Sequence, residues 1–534
     1  MSNARAIDVR SVVVRPEAWE GATNPVLPGF HPDPSVCRVD HGPPGAPDVW
    51  FYLVSSTFEY LPGLPIHRSR DLVTWEHVGH AVTDQLEYAG VGDSGGLYAP
   101  TLRHDGARFL LVCTHLGGPE GASGNFAMTA TDAAGPWSAP VWWHDSTGID
   151  PSLLLDDDGR IWAHGARAAA EPRWEHQGEI WVREVDPGTL QLVGTEAVVF
   201  STALVGGAWT EGPHLVRRDE HVVLVAAEGG TGEHHAIVTA RATSPLGPFE
   251  VFLDNPALTH RHLGPGTAVT NVGHGDLVEA ADGSWWAVCL ASRMVDGVDL
   301  LGRETFLVPV AWVDGWPRFA PGVGTLVPEP GGPDGVARGE VGPPPRSPWI
   351  AVRRLPEVVA DLTDPEAPRL RAGRGLDHAE PAFLGRRLLS PRSSLALEVP
   401  GGAAVDAGVA EVGLALRHST RQWLTVGIRT AASDGEGAPH ARHVVVTTCR
   451  DGELTTTSGP AVTGAGRLGI TVAGRSARPT WTPRDGDAVG LGTVDVAHLA
   501  TVHAGGFVGV VAGPYAIGDG DVTVGPLTLR EVTG

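Results

Sequence analysis

At 534 residues and 42% hydrophobic content the chain is too long for a single core and ordinary in composition, so two or more globular domains are expected. A formal net charge of −23 argues against nucleic acid or an anionic membrane as partner, because both require basic patches, and favours a neutral or cationic ligand. Lysine is absent and all 39 basic residues are arginine, which excludes Schiff-base chemistry and the lysine of a phosphate-binding loop.

The first ten residues, Met1 to Arg10, contain no apolar core of signal-peptide length. No later run approaches the ~18 apolar residues of a membrane span. A soluble, cytoplasmic protein is expected. Five stretches then open on a related phrase: Asp33-Pro-Ser-Val-Cys, Ala99-Pro-Thr-Leu-Arg, Asp150-Pro-Ser-Leu-Leu, Glu211-Gly-Pro-His-Leu and Asp276-Leu-Val-Glu. Their starts are 66, 51, 61 and about 65 residues apart. Each leads through a polar turn to an apolar strand: Val49–Val54, Phe109–Cys113, Arg160–Ala163, His221–Val225 and Trp285–Cys289. A second echo pairs Thr131-Asp-Ala-Ala-Gly-Pro-Trp137 with Thr243-Ser-Pro-Leu-Gly-Pro-Phe249, 112 residues on. A period near 60 marks a repeat architecture, and five units fit a five-bladed β-propeller of four-stranded blades. If the phrase begins each innermost strand, Asp33, Asp150 and Glu211 face one shared funnel.

Residues 327–348 are rich in proline and glycine, and 14 of the 17 tryptophans lie before residue 320. The composition therefore divides the chain into a propeller over 1–328, an extended linker over 329–348 and a second domain over 349–534. The second domain carries apolar strands over Leu395–Val399, Val412–Arg417, Trp423–Ile428, His443–Thr448 and Phe507–Val511, with a hairpin signal at Arg450-Asp-Gly-Glu453. It has no 60-residue period, and an antiparallel, concanavalin-like sandwich is expected, making the chain all-β. Cys37, Cys113, Cys289 and Cys449 lack zinc-ligand spacing and read as buried free thiols.

Three acids at one funnel suit glycosidic-bond cleavage. That reaction needs one carboxyl group to protonate the leaving oxygen and another to attack or to activate water, their pKa values pushed apart by burial or a neighbouring charge. A lone Asp-Pro would read as a turn cap. Three acids in register are harder to explain that way, since each would be desolvated without return.

Six ordered stretches, Asn24-Pro-Val-Leu-Pro-Gly-Phe-His-Pro-Asp-Pro-Ser35, Ser55-Ser-Thr-Phe-Glu-Tyr-Leu-Pro-Gly63, Gly148-Ile-Asp-Pro-Ser152, Thr210-Glu-Gly-Pro-His214, Gly273-His-Gly-Asp276 and Leu301-Gly-Arg-Glu-Thr305, together resemble glycoside hydrolase family 43, in its β-xylosidase branch with a C-terminal sandwich. The resemblance spans residues 24–317 and is more diffuse in the second domain. It implies an inverting mechanism with Asp33 as general base, Glu211 as general acid and Asp150 tuning the acid's pKa. Base and acid carboxyls should then stand about 6.5–9.5 Å apart. Arg303 matches an arginine near the tuning acid and the sugar hydroxyls, and Phe58 an aromatic at the substrate pocket. His274 matches a histidine on the propeller axis, which in some relatives helps hold calcium or another divalent ion and in others does not. No cofactor is otherwise implied. Where relatives carry Trp-Ala-Pro this chain has Tyr98-Ala-Pro100, and where some place an aromatic near the leaving group the stretch from Val502 to Phe507 offers His503. Trp75, Trp137, Trp209 and Trp285 read as packing residues.

The implied activity is an exo-1,4-β-xylosidase acting on soluble xylo-oligosaccharides. An α-L-arabinofuranosidase or a bifunctional enzyme is the alternative. A non-catalytic carbohydrate-binding propeller is the rival from another class; a retaining fructan-acting propeller would need an Asn-Asp-Pro-Asn phrase where this chain reads His31-Pro-Asp-Pro34. Some relatives assemble as homo-oligomers through the second domain, which leaves that arrangement open here.

Overall fold

The computed structural model describes residues 24–42, 48–264, 266–326, 349–401, 408–430 and 442–532. The proposed linker 329–348 lies outside the described residues. The chain is all-β, and helix is confined to stretches as short as Pro356–Val359 and Thr501–Ala504.

Up to residue 326 the strands form antiparallel meanders that follow one another in the chain. Their first strands are Ser35–Asp40, Gly96–His104, Ile149–Leu155, Glu211–Arg218 and Val269–Glu279. Alternation of side chains gives each sheet two apolar faces, one for each neighbour. In the second sheet Phe109, Leu111 and Cys113 pack toward the first sheet, while Leu110 and Val112 pack toward the third. In the fourth, Val222 and Leu224 face the third sheet and Val225 faces the fifth. Val36 and Phe51 of the first sheet meet Trp286 and Val288 of the fifth, which closes the circuit. Asn24 pins the closure: its side-chain amide donates to Leu307 O and its Oδ1 accepts from Leu307 N, both at 2.8 Å.

The second half is a sandwich. One sheet orders Arg386–Arg387, Val511–Gly518, Val409–Ser419, Gln422–Thr430, Arg442–Arg450 and Glu453–Ala461; the other is built around Gly466–Ala473, with Arg392–Val399 and Ser476–Pro483 on either side. Leu395, Leu414, Val426, Leu468 and Ile470 fill the space between them. The expected hairpin turns at Asp451 and Gly452, with φ of 54° and 87°, the pair of positive values a two-residue turn requires. One expected strand is displaced: Phe507–Val510 is a loop, and the strand runs from Val511 to Gly518. All four cysteines are buried and free.

The halves share a core in which Phe30, Phe58 and Tyr60 pack with Phe383, Trp423, Val508 and Tyr515. A short ladder joins Tyr60–Leu61 to Ala351–Val352. Asp93 accepts hydrogen bonds from Arg353 at 3.0 Å and from the Thr420 backbone at 3.0 Å.

Candidate active site

In or within two residues of each first strand, the backbone turns left-handed at the same point of the repeat. Asp33, Ala99, Asp150, Gly212 and His274 have φ of 53°, 36°, 56°, 54° and 43°. Their spacings are 66, 51, 62 and 62 residues. The ladders shift register across Tyr98/Thr101, Ile149/Ser152, Glu211/His214 and Gly273/Gly275. Four of the five positions precede proline, whose missing N–H takes that point out of the ladder. Such bulges re-aim side chains. The repeat was expected to align Glu211 and Asp276 with Asp33; the bulge instead aligns Gly212 and His274, leaving Glu211 one residue earlier and Asp276 two residues later.

The bulges bring Asp33, Asp150, Glu211 and His274 to one cavity of about 500 Å³, together with Phe58 and Arg303. Asp33 Oδ2 accepts from Ser56 Oγ at 2.7 Å and Oδ1 from Arg303 at 2.8 Å. Asp150 Oδ2 accepts from the Gly212 N–H at 2.9 Å. Burial, with the charge of Asp33, pushes the Asp150 carboxyl up to about 6. Glu211 goes further: burial, then the charges of Asp150 and Asp33, push it up to about 8, so it holds its proton at neutral pH. His235 Nδ1 pairs with Asn271 O at 3.1 Å, leaving Nε2 without a hydrogen bond 4.0 Å from Glu211 Oε1.

Arg303 was expected beside Asp150. Its charge does act on Asp150, but its ion pair is with Asp33, and it also donates to Thr231 Oγ1 at 3.0 Å and to Phe507 O at 3.1 Å. The neighbouring Glu304 is taken by Arg293 at 2.7 Å. Phe58 is buried between Phe30 and Phe507, ring centroids 6.0 and 5.7 Å away, with Tyr98 edge-on at 4.7 Å. Phe507, rather than His503, is the second-domain residue that lines the cavity. Its loop is drawn in by close backbone approach: a Cβ on Gly302 would lie 2.9 Å from Gly509 Cα, and Val510 N donates to Leu300 O at 2.9 Å. Sequence reasoning missed Phe507 and Thr231 because both act across long chain separations; Gly505-Gly506 was the available sign of a loop. Trp75 and Trp137 are buried as expected, whereas Trp209 lies exposed at the edge of the cavity.

Two residues beyond the bulge, the same strands carry Ser35, Thr101, Ser152, His214 and Asp276, all buried. Here Ser35, Ser152, His214 and Asp276 are drawn into one hydrogen-bonded network. Arg103 binds Asp276 through two nitrogens at 2.7 and 3.0 Å and approaches His214 Nδ1 at 3.3 Å. Ser35 Oγ donates to Asp276 at 2.8 Å, and Ser152 Oγ lies 3.1 Å from His214 Nδ1. Burial pushes the Asp276 carboxyl up, but Arg103 and then His214 overcome this and hold it at about 2.

These contacts bear on a divalent ion at His274. Its Nδ1 lies 3.9 Å from Asp33 Oδ1, and its other ring neighbour is His214, 6.0 Å between centroids. Asp33 is engaged by Arg303 and Asp276 by Arg103, while Asp150, whose carboxyl feels the charge of His274, accepts from the Gly212 N–H. Calcium prefers an oxygen shell, and among the described residues no three His, Cys, Asp or Glu side chains converge to hold a metal. Side chains of the described residues alone do not complete a calcium shell at His274.

Residues 22–317 match the family model for glycosyl hydrolases family 43, and residues 348–526 match that for the beta xylosidase C-terminal concanavalin A-like domain. A xylosidase/arabinosidase of Butyrivibrio fibrisolvens is 43% identical over 312 residues, 58% of this chain and 58% of that protein. A non-reducing end alpha-L-arabinofuranosidase of Bacteroides ovatus is 34% identical over 94% of this chain and 92% of its own length. The solved structure of a xylan beta-1,4-xylosidase from Bacillus halodurans superposes with a TM-score of 0.82 at 27% identity, covering 96% of this chain and all of that one.

Proposed function

Because the chain belongs to glycosyl hydrolases family 43, we propose that it is an inverting exo-1,4-β-xylosidase that removes terminal xylose from soluble xylo-oligosaccharides in the cytoplasm. The observation that carries this reading is the contrast of two acids in one pocket: Glu211 is pushed up to about 8, and Asp33 accepts from a guanidinium and a hydroxyl. In this reading a water on the far face of the sugar bonds to C1 and gives its proton to Asp33. The C1–O bond to the leaving sugar breaks, and the Glu211 proton passes to the leaving oxygen. Burial keeps Glu211 protonated, and the charge of Asp150 adds to it. Arg303 and Phe58 hold the sugar, and His274 contributes a polar wall without a metal. Phe58, Tyr98 and Phe507 wall one side of the cavity, and a closed wall suits exo action. We read the five sheets of residues 1–328 as a five-bladed propeller, joined through 329–348 to the sandwich of 349–534.

The nearly full-length Bacteroides ovatus relative favours a second reading, hydrolysis of α-L-arabinofuranosides, since the two sugars present similar hydroxyl arrays. Assays of aryl β-xyloside beside aryl α-L-arabinofuranoside, with and without chelator, separate the two. Xyloside turnover with α-xylose as the first anomer seen by NMR is expected. β-Xylose appearing first would refute inversion, and sugar binding without turnover would return the protein to a binding role.

A further inference from the structure

Trp209 has no part in the chemistry above, yet it lies two residues before Glu211 and lines the same cavity. It is 48% exposed, and no other tryptophan among the described residues is as exposed. Its φ is 49°, an outlier for a bulky side chain of the kind that collects at ligand sites. Neither the exposure nor the strain helps the fold, so the ring is being held for something else.

The holding is specific. The Trp209 N–H donates to His176 O at 2.9 Å, and the indole stacks on the His176 imidazole with centroids 4.3 Å apart and planes 21° from parallel. Trp174 Nε1 braces the loop by donating to Gly207 O at 2.7 Å. Gly230, also at the cavity, faces the indole with only hydrogen: a Cβ there would come within 3.0 Å of Cε3 and 3.5 and 3.6 Å of the adjoining ring atoms. Any other residue at 230 would cover ring surface that glycine leaves bare.

The place of the ring follows from the acid. Glu211 must reach the oxygen between the bound sugar and its leaving group, so the leaving group lies beyond Glu211, toward the open side of the cavity where Trp209 stands. A pyranose presents an apolar C–H face that packs on an aromatic ring. We propose that Trp209, backed by His176, is the platform for the leaving sugar, and that the preferred substrates carry a pyranosyl leaving group rather than a small alcohol. This rests on Glu211 being the general acid.

The test compares xylobiose with β-xylosyl fluoride, whose leaving group is too small to stack and needs no proton from Glu211. Trp209→Ala should lower kcat/KM on xylobiose by roughly three- to tenfold, the size of one lost aromatic contact. The fluoride should change less than twofold, and Trp209→Phe should keep most of the xylobiose activity. Equal losses on both substrates would make Trp209 a support of the pocket and overturn the platform, as would no loss on either. Calorimetry in the Glu211→Ala background separates the two readings. If wild type hydrolyses neither substrate while xylobiose binding still depends on Trp209, the hydrolase reading fails and the platform stands.

Discussion

Asp150 and Asp276 are both buried carboxylates on first strands of the repeat, one at the bulge and the other two residues past it. Burial pushes both up, yet Asp150 ends at about 6 and Asp276 at about 2. Asp276 has a guanidinium gripping both oxygens and a serine hydroxyl besides; Asp150 has one backbone N–H and faces the negative charge of Asp33. One layer of the ring is electrically closed and the layer above it is left short of partners. The difference is direct contact: Arg103 hydrogen-bonds Asp276 through two nitrogens, whereas His274 and Arg303 act on Asp150 by charge alone.

The largest effect is expected from the open layer. Glu211→Ala should cut xylobiose turnover by about 10²–10⁴-fold, with a much smaller loss on activated aryl xylosides that leave without a proton. Equal losses on both would remove the acid role from Glu211. Breaking the closed layer should cost stability instead. Arg103→Met strands a buried Asp276 and should lower unfolding free energy by about 3–5 kcal/mol in denaturant titrations, and Arg103→Met combined with Asp276→Leu should recover much of it. A double variant no more stable than the single one would mean that Arg103 acts through packing.

The pH profile sharpens the contrast. Glu211 works protonated, so kcat/KM should fall as pH rises through about 8. Asp150→Asn removes a negative neighbour, favours the charged form of Glu211 and should move that limb to lower pH; an unmoved limb would show that burial and Asp33 set it without Asp150. Ser56→Ala should have the smallest effect. Loss of one hydrogen bond to Asp33, with the Ala99 N–H also losing its acceptor at 2.7 Å, is worth about 1 kcal/mol, or roughly fivefold in kcat.

Much of this was legible in the chain itself. Alternation and turn residues marked the first-half strands, and the repeated phrase brought Asp33, Asp150 and Glu211 to one place. The register of that phrase was not legible. Asp33-Pro and Asp150-Pro suggested that an acid heads each unit, whereas the repeated quantity is a backbone twist that Gly212 and His274 also satisfy. The closed layer escaped because Arg103 and Asp276 are 173 residues apart, and a lone arginine at the fourth residue after Ala99 carries no mark of its partner. Phe507 escaped because an apolar run beginning at residue 507 has the composition of a strand; its departure from one depends on the glycine-to-glycine approach at Gly302 and Gly509.

That approach ties the two halves together at the pocket. The guanidinium that grips Asp33 also reaches across to the carbonyl of Phe507, so part of the pocket wall is written some two hundred residues beyond the arginine it leans on. Genes built from separable modules can trade an accessory domain and keep their chemistry. Here a recombination between residues 326 and 349 would preserve every carboxylate and still redraw the chamber they serve. A chimera carrying a relative's sandwich is therefore a way to change what this fold accepts without editing a single acid.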